Sequence, residues 1–170
     1  MAAAPNRDDG RKHGLPPVAR ADARLLVLGS LPGEASLAAE RYYAHPRNQF
    51  WRLLGEVVGE PLDSLSYEER LQRLMNRRVA LWDVVHAARR LGSLDMAMRE
   101  IETRDVAGFA AGLPDLRAIA FNGGTAARIG RRGLEGSPLA LIDLPSSSPA
   151  FTLPFADKAA QWVALRAFLD

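Results

Sequence analysis

Residues 25–33, Leu-Leu-Val-Leu-Gly-Ser-Leu-Pro-Gly, have the pattern of a buried strand that ends in a tight turn. The apolar run at its start has no polar break, which is typical of a strand covered on both faces. Gly29, Pro32 and Gly33 then favour a turn, because glycine and proline interrupt regular structure. The segment therefore predicts one strand of a parallel sheet, with a loop at its carboxyl end.

The same plan returns at residues 141–150, Leu-Ile-Asp-Leu-Pro-Ser-Ser-Ser-Pro-Ala. An apolar strand again leads into a short polar loop. In an open parallel sheet, the loops at the carboxyl ends of the strands are where a ligand binds. We therefore expect a binding site formed by these two loops.

Two further apolar segments extend the pattern. We predict strands at residues 24–28, 79–85, 116–121 and 139–142. Predicted helices lie between them, at residues 46–58, 67–75, 105–111, 125–131 and 156–169, and a loop with a short helix is predicted at 86–103. Because strands and helices alternate, the sequence favours an α/β fold with a parallel sheet covered on both faces.

The length of 170 residues favours one domain. Residues 1–22 are rich in Pro, Gly, Asp and Arg, so we predict a flexible tail there and a single domain over 23–170. No apolar run is long enough to span a membrane, and the N-terminus lacks the apolar segment of a secretory signal. The absence of cysteine excludes disulfides and Cys-based metal sites. We expect a cytoplasmic bacterial protein that acts at the nucleoid and has no membrane partner.

Residues 42–51, Tyr-Tyr-Ala-His-Pro-Arg-Asn-Gln-Phe-Trp, follow the first strand. Phe50 and Trp51 begin a helical apolar stripe and are expected in the core. The tyrosines precede that helix in a polar loop, where aromatic faces stack on nucleic-acid bases and contribute ~1–3 kcal/mol per base. Together with His45 and Asn48, they predict a pocket for a flat polar ring.

The sequence gives less support to a phosphate-binding loop or a metal site. Gly29–Gly33 lacks both the Gly-x-Gly-x-x-Gly pattern and the Gly-Lys-Ser/Thr ending of phosphate loops. His45 and His86, with scattered carboxylates, do not have the spacing of metal ligands. We therefore expect neither a metal nor a cofactor.

The polar residues after the third and fourth strands allow two interpretations each. Ser146, Ser147 and Ser148 lack the Gly-x-Ser-x-Gly elbow of a serine nucleophile, and they suit either phosphate contacts or a plain turn. Asn122 either reads a base edge or serves as a turn residue before two glycines.

Three of these segments resemble the uracil-DNA glycosylase superfamily: Gly-Ser-Leu-Pro-Gly at 29–33, the block at 42–51, and Leu-Pro-Ser-Ser-Ser-Pro-Ala at 144–150. The branch that they resemble most is the hypoxanthine-DNA (deoxyinosine) glycosylases, over residues 24–169. The resemblance implies a three-layer α/β/α sandwich with a central four-stranded parallel sheet.

The resemblance also implies roles for single residues. Asn48 and His45 correspond to catalytic positions, with Asn48 orienting the attacking water. Tyr43 corresponds to the aromatic residue that stacks on the flipped base, and Gly33 to a backbone contact with the base. Asn122 is a further base-binding candidate. The DNA-binding loop, which enters the minor groove and contacts the flanking phosphates, corresponds to Ser146, Ser147, Ser148, Pro149 and Ala150.

Leu31 departs from one branch of this family. The mismatch-specific uracil and thymine glycosylases carry Gly-Ile-Asn-Pro-Gly at this motif, and its asparagine positions the water. Leu31 stands at that asparagine's position beside the base, and it cannot hydrogen-bond water. The sequence therefore favours hypoxanthine over uracil as the substrate.

We expect a monomeric, monofunctional DNA glycosylase that acts on double-stranded or single-stranded DNA containing a deaminated base. Covalent Schiff-base chemistry is limited to Lys12 and Lys158, which lie in the predicted tail and in the closing helix. A glycosylase for G:U or G:T mismatches and a catalytically weak damage-binding module are the alternatives. An unrelated α/β enzyme that uses a small nucleotide is a third.

Overall fold

The structure, a computed structural model, describes residues 10–170. In chain order its strands are β1 Lys12–His13, β2 Leu25–Gly29, β3 Val79–Asp83, β4 Val85–Arg89, β5 Arg99–Thr103, β6 Ala118–Asn122 and β7 Ala140–Leu144. Its α-helices are α1 Glu34–Ala39, α2 Phe50–Val58, α3 Tyr67–Asn76, α4 Val106–Ala111, α5 Gly124–Arg131 and α6 Phe155–Trp162. Short 3₁₀ helices are Leu62–Ser64, Asp95–Ala97 and Val163–Phe168.

The central sheet has four strands in the order β3-β2-β6-β7, and all neighbours are parallel. This confirms the predicted four-stranded parallel sheet. The register pairs Gly29 with Asp83 and Asn122 with Leu144. Since parallel strands end at one edge, these four residues lie along the carboxyl edge of the sheet.

Alternate residues of the strands face two separate cores. Leu25 and Val27 belong to one core, with apolar residues of α2, α3 and α6. Leu26 and Leu28 belong to the other, with residues of α4 and α5. Helices therefore cover both faces, as the three-layer prediction required.

The prediction of a loop and a short helix at residues 86–103 is right for the short 3₁₀ helix Asp95–Ala97, but it missed two strands. Strands β4 and β5 form an antiparallel hairpin there, and β1 adds to it as a third strand. The sequence concealed this hairpin because every residue of β5 is exposed, so no apolar alternation marks the strand. The two residues of β4 that pair with β1 are Ala87 and Ala88, and alanine has little preference for strands.

The predicted flexible tail also needs correction for residues 10–22; residues 1–9 lie outside the described part of the chain. Strand β1 pairs with β4, and Val18 exchanges two backbone hydrogen bonds with Leu81, at 2.9 and 2.8 Å. Leu15 is buried in the core, and the Tyr42 hydroxyl donates to the carbonyl of Pro16 at 2.8 Å. Much of what holds this segment is hydrogen bonding between backbone groups, which every residue type can make. The amino-acid composition of the segment therefore does not reveal that it is ordered.

Two helix boundaries differ from prediction. Helix α2 begins at Phe50 rather than at Pro46, and the closing helix changes from α to 3₁₀ at Val163. Within residues 10–170, the helices are all too short or too polar to cross a bilayer.

Leu15→Ala tests whether the N-terminal segment is part of the fold. Because Leu15 is buried, we expect the substitution to lower the free energy of unfolding by about 2–3 kcal/mol, as for other buried leucines. The exposed neighbour Pro17 supplies the control Pro17→Ala. Urea denaturation measures both variants, and equal stability of the two would mean that residues 10–22 behave as the tail that composition suggested.

Candidate active site

A cavity of about 530 Å³ lies at the carboxyl edge of the central sheet. The end of β3 and the loops after β2, β4, β6 and β7 line it, and the carboxyl edge is where an open parallel sheet is expected to bind a ligand. Every site residue predicted from the sequence is among the lining residues: Leu31, Gly33, Tyr43, His45, Asn48, Asn122, Ser146, Ser147, Ser148, Pro149 and Ala150.

Gly29, Asp83 and Tyr43 meet in this cavity. A Cβ atom on Gly29 would lie 2.6 Å from Asp83 Oδ1 and 2.8 Å from the Tyr43 hydroxyl oxygen. Real Cβ atoms do not approach so closely, so glycine is required for these side chains to come together. The Gly-Ser-Leu-Pro-Gly turn thus has a packing role that is independent of phosphate binding.

Asp83 is the site residue that sequence reasoning missed. Its side chain is 2 % exposed and lines the cavity, and Oδ2 has no hydrogen-bond partner within residues 10–170. Burial raises the pKa of Asp83 to about 8, against the opposing charge of Arg104, so its carboxyl group is largely protonated at neutral pH. A carboxyl residue ending an otherwise apolar strand was the signal in the sequence.

Tyr43 is held in a strained conformation beside Asp83. Its φ of 54° is in the left-handed region, which costs a non-glycine residue about 1–3 kcal/mol. One face of its ring stacks on Phe50, with centroids 3.7 Å apart and an angle of 13°. Tyr42 packs behind it in the core.

Asn48 is fixed by two hydrogen bonds to its carbonyl oxygen. Its Oδ1 accepts from the backbone N–H of Phe50 at 3.0 Å, at the start of α2, and from the hydroxyl of Ser147 at 2.8 Å. Its Nδ2 group has no protein partner in the described part of the chain, and the residue lines the cavity. The part of the Asn48 side chain that can contact a substrate is therefore the N–H donor of its amide.

Ser147 connects Asn48 to Asn122 at the end of β6. Asn122 Nδ2 donates to the Ser147 hydroxyl oxygen at 2.9 Å, and Asn122 Oδ1 accepts from the Ser147 backbone N–H at 2.9 Å. The Ser147 hydroxyl in turn donates a hydrogen bond to Asn48 Oδ1. A continuous chain of hydrogen bonds from Asn122 through Ser147 to Asn48 sets the orientation of the Asn48 amide.

These contacts bear on two predicted roles. Ser147 is 1 % exposed and its hydroxyl group bonds inside the protein, so its observed role is to hold Asn48, and its contact with DNA stays a prediction. Asn122 donates its second amide proton to the Tyr43 hydroxyl at 3.3 Å. A base contact by the Asn122 amide would have to break one of its bonds, so its observed role is to position Ser147 and Tyr43.

His45 lies at the exposed border of the cavity. Its Nδ1 accepts the backbone N–H of Arg47 at 3.1 Å, and its carbonyl accepts the N–H of Asn48 at 3.0 Å. Both bonds shape the loop that presents Asn48. This geometry gives His45 a structural function, and its predicted catalytic role stays untested.

The two motif loops frame the cavity. Leu31 is buried, and both it and Gly33 line the wall. On the other side, Pro149, Ala150 and Phe151 form the exposed tip of the loop after β7. The buried amine of Lys158 donates to the Ser148 carbonyl at 3.3 Å beneath that tip. Within residues 10–170, no group of His, Asp and Glu has the arrangement of a metal site.

Asp83→Asn should change how stability depends on pH. The pKa of an unfolded Asp is about 3.9, whereas burial raises that of folded Asp83 to about 8. The folded state therefore retains a proton that the unfolded chain loses, and the wild type loses stability as pH rises from about 4 to about 8.

The neutral amide removes this dependence, so the variant should gain stability relative to the wild type between pH 5 and pH 8. Urea denaturation at both pH values measures the difference. A difference that is the same at the two pH values would show that Asp83 is ionised in the folded protein.

Comparison with known proteins agrees with the geometry of the site. The sequence model of the Uracil DNA glycosylase superfamily matches residues 16–169. A protein of Methanosarcina acetivorans named Hypoxanthine DNA glycosylase is 38 % identical over 154 residues, covering 91 % of this chain and 97 % of the relative. One of the same name from Methanosarcina barkeri is 41 % identical over 113 residues, or 66 % of this chain and 72 % of the relative.

A solved structure shares the fold. The solution NMR structure of a Methanosarcina acetivorans protein, described as a candidate uracil DNA glycosylase, superimposes with a TM-score of 0.82. It is 37 % identical and covers 93 % of this chain and 98 % of its own. With the family match over nearly the whole chain, these findings show that the protein belongs to the uracil DNA glycosylase superfamily, in the branch of the hypoxanthine DNA glycosylases.

Proposed function

We propose that this protein is a monofunctional DNA glycosylase that removes hypoxanthine from DNA by hydrolysing the N-glycosidic bond of deoxyinosine. The observation that carries the proposal is the cavity that joins Tyr43, Asn48 and a largely protonated Asp83 at the edge of the sheet. The curated relatives, both named hypoxanthine DNA glycosylases, support the same activity.

The substrate base must leave the DNA stack to reach this cavity, because the glycosidic bond is inaccessible inside a duplex. Tyr43 then stacks on the base. Phe50 holds the tyrosine ring from behind, so the stacking surface is ordered before the base arrives. An ordered surface loses little conformational entropy on binding, which favours capture of the flipped base.

Asp83 fits the polar edge of hypoxanthine. A protonated carboxyl group has one O–H donor and one carbonyl acceptor. Hypoxanthine presents an acceptor at O6 next to a donor at N1–H, so the two groups are complementary. The unpartnered Oδ2 of Asp83 supports this contact, since a buried polar atom without a partner is costly until a ligand satisfies it.

Asn48 cannot remove a proton from water. Its carbonyl oxygen already accepts two hydrogen bonds, and its amide can only donate. It therefore holds the water by its oxygen or donates to the departing base. The C1′–N9 bond breaks first, the sugar becomes an oxocarbenium ion, and water adds to C1′ without needing a strong base.

The positions of the two lysines support a hydrolytic mechanism. Lys12 donates to Glu34 Oε1 and to the Gly92 carbonyl, both at 2.8 Å. Lys158 is buried and donates to the Ser148 carbonyl. Neither lysine lines the cavity, so no lysine amine is placed to attack C1′ in the described part of the chain, residues 10–170. The monomeric state and cytoplasmic location stay predictions.

Single-turnover cleavage of matched duplexes tests the proposal. Duplexes carrying hypoxanthine, uracil, a G:T mismatch or xanthine should be compared at one enzyme concentration. We expect hypoxanthine to be released faster than uracil, because Leu31 cannot position water for uracil removal. Uracil release at an equal or greater rate would place the protein with the mismatch enzymes, and no release of any base would favour a damage-binding module.

Two substitutions at Asn48 separate its structural and chemical roles. Asn48→Asp keeps the acceptor oxygen for Phe50 and Ser147 but loses the donor, so we expect native stability and a rate lower by about 10²–10³. Asn48→Ala should slow excision by a similar factor and should also lower the free energy of unfolding by about 1 kcal/mol. Thermal melts and single-turnover rates measure both effects. An active Asn48→Asp protein would show that the donor is not required.

Tyr43 should contribute through its ring. Tyr43→Phe keeps stacking and should retain most of the rate. Tyr43→Ala should slow excision by roughly 5-fold to 150-fold, the equivalent of a stacking contact of ~1–3 kcal/mol. The single-turnover rate on hypoxanthine duplexes is the measurement, and a Tyr43→Ala rate within twofold of the wild type would remove Tyr43 from the base-binding role.

A further inference from the structure

An arginine stands directly before three neighbouring strands of the central sheet. Arg78 precedes β3, Arg24 precedes β2 and Arg117 precedes β6. The backbone N–H of Arg24 donates to the Arg78 carbonyl, and that of Arg117 donates to the Arg24 carbonyl, both at 2.8 Å. The three arginines therefore lie side by side at the amino edge of the sheet, opposite the edge that carries the active site.

A second cavity, of about 420 Å³, opens beside this row of arginines. Among its lining residues in the described part of the chain, Arg24, Arg77, Arg78 and Arg166 are basic, and only Asp170 is acidic. We call the cavity lined by these residues the arginine cleft. Its volume is in the range of small-molecule sites, about 300–1,000 Å³. Positive charge gathered in a concave surface attracts anions.

Two arginines of the cleft have no carboxylate partner within residues 10–170. Arg24 donates to the carbonyl of Leu169 at 3.1 Å, and Arg166 donates to the carbonyls of Glu56 and Val57. A guanidinium group has five N–H donors. Further donors of both side chains are therefore available to a ligand.

The other two arginines of the cleft are only partly neutralised. Arg78 Nε lies 3.9 Å from Asp22 Oδ2, which is the limit of an ion pair. Arg77 shares the carboxylate of Glu60 with Arg73, at 2.9 and 3.2 Å. One carboxylate thus serves two guanidinium groups, and the cleft keeps an excess of positive charge.

The pKa of Arg24 reflects this excess. Burial lowers the pKa, and the positive charges of Arg117 and Arg78 lower it further. The carboxylates of Asp115 and Asp22 raise it by less than those two arginines lower it. An anion bound in the cleft would relieve this repulsion between like charges.

Asn76 adds a neutral donor to the arginine cleft. Its Oδ1 accepts from Arg20 Nη1 and from Gln72 Nε2, both at 3.1 Å. Its Nδ2 group has no protein partner among the residues that the structure describes, and the residue lines the cleft. The amide therefore presents N–H donors, as the guanidinium groups do. Phosphate oxygens accept such bonds, and arginine binds phosphate through two parallel hydrogen bonds.

Arg78 stands where a helix end commonly carries glycine. It follows Arg77, the C-cap residue of α3, and its φ of 62° is in the left-handed region. A glycine would adopt this conformation without strain. The chain instead has an arginine here, and strained residues of this kind cluster at ligand-binding sites.

We infer that the arginine cleft binds a small phosphorylated ligand, with its phosphate group on the arginines and on the Asn76 amide. Val57 and Val58 line the cleft as well and supply an apolar wall for the rest of the ligand. Strand β2, with five residues, spans about 17 Å from this edge to the active-site edge. A ligand in the cleft therefore does not occupy the space of a flipped base, and the inference is independent of the proposed function.

Two substitutions remove contacts for the phosphate group and preserve the fold. Arg78→Gly deletes one guanidinium group at a position whose backbone favours glycine. Asn76→Asp keeps an acceptor oxygen for Arg20 and Gln72 but replaces the amide donor by a negative charge. The control is Arg132→Gln, because Arg132 is an exposed arginine at the end of α5, outside the lining of both cavities.

Isothermal titration calorimetry with inorganic pyrophosphate, at constant ionic strength, measures binding. We expect one saturable site per wild-type chain. Each test variant should raise the Kd about tenfold or more, since a charge-assisted hydrogen bond is lost or a like charge is added. The control should stay within twofold of the wild type. A wild type without saturable binding, or test variants with an unchanged Kd, would overturn the inference.

Undamaged duplex DNA, titrated into the same proteins, distinguishes a small ligand from a nucleic acid. If the test variants weaken DNA binding tenfold while pyrophosphate shows no saturable binding, the cleft contacts the DNA backbone and the inference is refuted. Thermal melts check the fold, and Arg78→Gly should melt at or above the wild-type temperature. Both test variants should excise hypoxanthine within twofold of the wild-type rate, so a wild type without excision would refute the proposed function and leave the cleft to the pyrophosphate titration.

Discussion

The hydroxyl group of Ser147 is the contact on which the active site depends. It accepts from Asn122 and donates to Asn48, and so joins the end of β6 to the loop before α2. The Ser147 carbonyl also accepts the N–H of Gln49 at 3.0 Å. Because this residue is buried, water does not compete for these bonds. Together with the backbone N–H of Phe50, this residue sets the orientation of the Asn48 amide and therefore the chemistry that the amide can perform.

The parallel sheet supplies the second constraint. Its register brings Gly29 and Asp83 side by side, and only glycine leaves room there for the Asp83 carboxyl group and the Tyr43 hydroxyl. Burial then raises the pKa of Asp83 to about 8, which turns a carboxylate into a group that can both donate and accept. The strained Tyr43 and the unpartnered Asp83 oxygen are features that cost stability, as is common where a protein is built for function.

The strands, the covered sheet and the residues around the cavity were predictable because each leaves a local pattern. Apolar runs such as 25–28 mark buried strands, and the block at 42–51 carries Tyr43 and Asn48 together. The hairpin at 85–103 was not predictable, because β5 is exposed and lacks alternation. Ser147 was predicted to contact DNA, since its neighbours 146 and 148 look identical in sequence. Burial of the middle serine depends on long-range pairing with Asn122, which no local pattern reveals.

A double-mutant cycle between Ser147 and Asn48 tests this account most directly. Single-turnover excision of hypoxanthine is measured for the wild type, Ser147→Ala, Asn48→Ala and the double variant. If Ser147 acts by orienting Asn48, Ser147→Ala should slow the wild type by about tenfold and should cost nothing further once Asn48 is alanine. The same slowing by Ser147→Ala in both backgrounds would contradict the account, because it would show that Ser147 contributes independently of the Asn48 amide.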